Sequence, residues 1–60
     1  MKYKVGDRIR IISMRNEPRY NDKEGVIEFI DDWGQLHGTW GSCALIPKVD
    51  RFIIVKHVKQ

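Results

Sequence analysis

The sequence predicts an all-β domain. Three observations carry that expectation: β-branched and aromatic residues fall in five short runs, each run is closed by Gly, Pro, Asn or Asp, and no segment keeps a helical period. The 60 residues make one domain, 1–60, because a chain this short buries only about 60% of the surface its unfolded form exposes and supports a single core.

Arg8-Ile9-Arg10-Ile11-Ile12 alternates, with Ile9 and Ile11 on one face and both arginines on the other, which is the pattern of a half-buried strand. Ser13 to Lys23 is polar and aperiodic, holds Asn16, Pro18, Asn21 and Asp22, and reads as a long loop. A loop of that length in so small a domain points to function. Glu24 to Asp31 is the second strand, and Asp31-Asp32-Trp33-Gly34 closes a tight hairpin if Gly34 takes positive φ. Gln35 to Trp40 is the third strand, Gly41-Ser42 a two-residue connection, and Cys43 to Ile46 the fourth strand. Pro47 to Asp50 has room for one helical turn, and Arg51 to Lys56 is the fifth strand.

The expected inward set is Ile9, Ile11, Ile27, Ile30, Leu36, Trp40, Cys43, Leu45, Phe52 and Ile54. Ile27 and Ile30 stand three apart, so keeping both inside needs a bulge near Glu28-Phe29. Strand, long loop, three strands joined by two tight hairpins, a short helical turn and a last strand is the order of a small five-stranded SH3-like barrel, in which the first and last strands pair antiparallel.

Val5-Gly6-Asp7-Arg8-Ile9-Arg10-Ile11, the loop, and Glu24-Gly25-x-Ile27-x-x-Ile30-Asp31 resemble the KOW-type element of ribosomal and transcription-associated barrels. The span from Val5 to about Val55, with Gly34-x-Leu36-His37-x-x-Trp40 and Ala44-Leu45-Ile46-Pro47-x-Val49-Asp50-x-Phe52, resembles more closely a small uncharacterised bacterial family, domain of unknown function 4314. That resemblance implies a single-domain SH3-like barrel and carries no catalytic or binding residues. The KOW resemblance implies contact with RNA or with an RNA-bound protein. In place of its glycine-and-lysine-rich loop stand Glu17, Pro18, Asn21 and Asp22.

Charge is unevenly spread. Residues 1–15 hold five basic groups against Asp7, residues 16–32 hold six acids against Arg19 and Lys23, and residues 33–60 hold four basic groups against Asp50, so two basic ends flank an acidic middle. Pairing of the first and last strands gathers Lys2, Lys4, Arg8 and Arg10 beside Lys56, His57 and Lys59, a patch suited to phosphate contact.

For catalysis the sequence offers little. His37 is expected outward on the third strand and His57 in the tail, with no nucleophile beside either, and Cys43 falls on the core face as a small hydrophobe. Metal-ligand spacing and a phosphate-cradling glycine loop are both missing, so no cofactor and no enzyme activity is expected. A single cysteine forms no internal disulfide, and no apolar run reaches signal-peptide or membrane-span length, which leads to the expectation of a cytoplasmic protein without membrane association. The expected function is a binding module that engages a protein partner through the long loop and the exposed aromatics, with Tyr20, Phe29, Trp33 and His37 as the surface. Nucleic-acid binding by Lys2, Lys4, Arg8, Arg10, Lys56 and Lys59 is the alternative. A homodimer or larger homo-oligomer sealed by Ile12, Phe29 or Ile53 is the third.

Overall fold

The computed structural model describes residues 3–59. Five strands, β1 (Arg8–Ser13), β2 (Glu24–Ile30), β3 (Leu36–Gly38), β4 (Gly41–Leu45) and β5 (Arg51–Lys56), form one antiparallel sheet in the order β4-β3-β2-β1-β5. The first and last strands pair as the sequence predicts, with Ile9 opposite Ile54 and Ile11 opposite Phe52.

The sheet bends along β2. Its first residues pair with β1, placing Val26 opposite Arg8 and Glu24 opposite Arg10, and its later residues pair with β3, placing Ile27 opposite Gly38 and Ile30 opposite Leu36. A register shift falls between Ile27 and Phe29, where the broken alternation called for a bulge. Because of this curl, Leu45 from one edge strand and Phe52 from the other join a single core with Ile9, Ile11, Met14, Tyr20, Ile27, Leu36 and Trp40. Burying each large aliphatic side chain of that set contributes about 1.5–3 kcal/mol. Among the described residues no ladder joins β4 to β5, so the sheet keeps two edges.

Several expectations are corrected. Ile30 is exposed: the bulge does turn it to the side of its cross-strand partner Leu36, but there, at the end of β2, the core no longer covers it. Cys43 and Ile54 are only partly buried and pack against the rim of the core. The connection between β3 and β4 is Thr39-Trp40, because Gly38 pairs with Gly41. Trp40 folds back over Gly38, and its indole N–H donates to the Cys43 carbonyl at 2.8 Å. Pro47 to Asp50 is a hydrogen-bonded turn, with Val49 and Asp50 N–H donating to the Ile46 carbonyl at 3.0 and 2.8 Å. The one helical turn among the described residues is a 3₁₀ turn at Pro18–Tyr20, inside the long loop.

Carboxylates fasten the strand ends where a disulfide would serve in other small domains. Asp7 is fully buried and accepts N–H groups from Lys4 at 3.0 Å and Val58 at 2.8 Å, with the His57 ring nitrogen Nδ1 3.2 Å away. Asp50, also buried, accepts the Arg15 N–H at 2.9 Å and the Ile46 N–H at 2.8 Å. Asn21 secures the long loop by accepting the Met14 N–H at 2.8 Å. No buried side-chain nitrogen or oxygen among the described residues lacks a partner, as a core held by polar staples requires.

Two glycines test this packing. Gly34 adopts φ +80 at the hairpin tip with open space around it, so Gly34→Ala meets only backbone strain and is expected to destabilise by about 1 kcal/mol. A Cβ at Gly38 would overlap the Val26 carbonyl oxygen and the Trp40 ring, and Gly38→Ala is expected to lose about 3 kcal/mol or more. Urea midpoints of the two variants check the order; equal losses would show that Trp40 moves aside freely.

Candidate functional site

The hairpin between β2 and β3 is organised by Asp31. Its Oδ1 accepts the backbone N–H groups of Trp33 at 3.0 Å and Gln35 at 2.9 Å, and the Gly34 N–H donates to its carbonyl at 2.9 Å. This is the local side-chain-to-backbone bonding that lets aspartate set a turn. Its Oδ2 lies 2.9 Å from His37 Nε2. The His37 ring nitrogen donates to the ionised carboxylate, and the His37 contact together with the Gln35 and Trp33 amides holds the Asp31 carboxyl below the usual aspartate range.

Cross-strand pairing sets Phe29 opposite His37, and the two rings stack at 4.2 Å with an interplanar angle of 1°. His37 does sit on the outer side of β3, yet it is half-buried between the Phe29 face and the Asp31 carboxylate. Trp33 at the tip is 86% exposed and Phe29 52% exposed, while Ile30, at 37%, faces the other side of the sheet with its partner Leu36. Glu28 and Asp32, both exposed, give this apolar patch an acidic border.

Tyr20 does not belong to that surface, which corrects the sequence expectation. It is 7% exposed and belongs to the core cluster. Its ring lies against Gly41, beyond the far end of β3 from Trp33, with Arg19 and Lys23 each 5.4 Å from the ring centre. The loop is fastened down by the Ile11–Lys23 and Ile11–Asp22 backbone bonds and by Asn21, so its aromatic residue packs instead of reaching out.

The basic residues are brought together in part. Arg8 stands opposite Lys56, and a cleft of about 450 Å³ between them and the tail is walled by His57, Val58 and Lys59. Arg8 and Arg10, however, both grip Glu24, at 3.1 Å and 2.7 Å, and the two guanidiniums, Arg10 first, hold the Glu24 carboxyl below its ordinary range. Lys4 is exposed, with its backbone N–H engaged by Asp7, and Lys2 lies outside the described residues. Burial, with smaller contributions from Glu17 and Asp50, pushes the Cys43 thiol above its ordinary value, which disfavours the thiolate that nucleophilic chemistry needs. No helix among the described residues is long and apolar enough to cross a membrane.

Compared with protein-family models, with curated proteins and with solved structures, the chain finds no match.

The contrast between the two loop aromatics is testable by stability alone. Tyr20→Ala removes a buried ring and is expected to cost about 3–5 kcal/mol, whereas Trp33→Ala is expected to stay within about 0.5 kcal/mol of the parent. Urea unfolding of both variants provides the check, and a destabilised Trp33→Ala would place Trp33 among the packing residues.

Proposed function

We propose that this chain is a small SH3-like barrel of the KOW-related kind that serves, without enzymatic activity, as a protein-binding module. Its docking surface is the β2–β3 hairpin with Phe29, Trp33 and His37. The observation that carries this reading is Trp33, an indole 86% exposed on a tip whose backbone is already fastened by Asp31. A large aromatic side chain carried on a backbone ordered before binding offers wide contact area without the cost of ordering the loop, a property of interface anchors. A reducing, cytoplasmic setting suits its single unpaired Cys43.

The nucleic-acid reading has one observation in its favour, the cleft where Arg8, Lys56 and Lys59 meet. It is the weaker reading because a phosphate there must compete with Glu24 for both Arg8 and Arg10.

The test compares three variants with the parent in retention of partners from a cell extract and in fluorescence titrations with mixed-sequence single strands at two salt concentrations. Trp33→Ala and Phe29→Ala are expected to weaken partner retention by roughly thirtyfold, since a truncated anchor loses about 2 kcal/mol, while the Arg8, Arg10 and Lys56 triple alanine variant binds as the parent does. Single-strand binding tighter than about 10 μM at physiological salt, lost in the triple variant, would overturn this assignment in favour of nucleic acid.

A further inference from the structure

We propose that the free edge of β5 is a second docking site, independent of the hairpin, that takes up an extended peptide segment with an aliphatic centre and acidic residues at each end as an added strand. β5 ends the sheet, and among the described residues no backbone hydrogen bond reaches it except from β1. Such an edge is a template for another strand, whose main-chain bonds provide affinity while alternate side chains provide selectivity.

The side chains define the guest. On β5, Ile53 and Val55 are exposed at 46% and 47%, and they lie between Arg51 and Lys56, neither of which has an acidic partner within 4.0 Å among the described residues. At the Arg51 end a groove of about 600 Å³ is lined by Tyr3, Ile12, Pro47, Phe52 and Ile53. Asp50, the acid on its wall, has both oxygens occupied by the Arg15 and Ile46 amides. An aliphatic strip closed by a cation at each end fits apolar side chains flanked by carboxylates.

Two other occupants fit less well. Single-stranded nucleic acid would need a free aromatic face to stack on; at this edge Phe52 is buried and Tyr3 packs edge-to-face against it at 5.6 Å, and the exposed Phe29 and Trp33 stand on the hairpin. A second copy would bring the same cations: antiparallel pairing of β5 with itself about Ile53 and Ile54 sets Arg51 opposite Lys56 twice. The charges that guard the edge against self-association are the ones that select an acidic guest.

The experiment titrates the full ¹⁵N-labelled chain with a capped eight-residue peptide of four central valines flanked on each side by two glutamates. Saturable shifts and slowed hydrogen exchange at residues 51–56 are expected. Affinity should fall roughly tenfold in Arg51→Glu with Lys56→Glu, both exposed positions where the fold is retained, because two surface ion pairs are lost. It should fall by a similar factor, roughly tenfold, when the alternate amides on one edge of the peptide are N-methylated, a change that leaves the protein untouched. Equal binding of a peptide with lysine in place of glutamate would overturn the proposal. So would shifts mapping to the β2–β3 hairpin, the absence of saturation, tighter binding of an oligothymidine to the same amides, or a parent chain that is dimeric through β5.

Discussion

The structure depends first on the Asp7 carboxylate. It lies at zero exposure where the two ends of the chain meet, taking N–H groups from Lys4 on one side and Val58 on the other, with the His57 ring alongside. The backbone of the same residue accepts the Ile27 N–H at 2.9 Å, so one residue ties the start of β1 to the middle of β2 and the tail beyond β5. A buried charge without donors is expensive, and here every donor comes from a segment that must already be in place. The clamp therefore makes the joining of the segments before β1 and after β5 part of the cooperative fold, in a chain whose lone cysteine offers no covalent closure.

With the ends held, the rest of the architecture follows from how far each strand extends past the core. β2 is the long element, shared between β1 and β3, and its last residues overhang the buried cluster. Phe29, Ile30 and the tip are thereby committed to the surface, and Asp31 does for the tip what Asp7 does for the termini, converting a loop into a fixed shape through backbone amides. The same logic leaves β5 at the sheet edge with its outer aliphatics uncovered. The exposed apolar surfaces are the parts of a small sheet that its own core is too small to cover.

Much of the fold was legible because alternation is a local signal. Ile9, Ile11, Ile27, Leu36, Leu45 and Phe52 announced the inward face, the three-residue gap after Ile27 announced the bulge, and Gly34 announced the hairpin. What escaped depends on contacts distant in sequence. Met14 and Tyr20 sit in an aperiodic loop and are buried because Asn21, Asp22 and Lys23 bind that loop back to β1. Both Gly41-Ser42 and Thr39-Trp40 satisfy a two-residue turn, and the choice falls to Trp40, whose ring needs the space that Gly38 leaves. The bond between Arg15 and Asp50 spans 35 residues, a distance at which no spacing rule speaks. The exposure of Phe29 and Trp33 was legible, while Tyr20 is buried against expectation, and the Phe29–His37 stack and the sharing of Glu24 by two arginines became visible only once the strands were in register.

The most direct test of this account is the pH dependence of unfolding free energy in the parent and in Asp7→Asn. The Val58 amide foremost, then the Lys4 amide and His57, hold the folded Asp7 carboxyl below the ordinary value of 3.8, so between those values the unfolded chain binds the extra proton. Its contribution is therefore fully present above about pH 4 to 5 and is lost as pH falls through the folded value. Asp7→Asn is predicted to be less stable at neutral pH and to lose less stability on acidification, Asp31 and Glu24 supplying the slope that remains. Parallel curves for the two proteins, or an Asp7→Asn variant as stable as the parent at neutral pH, would contradict the claim that this carboxylate closes the fold.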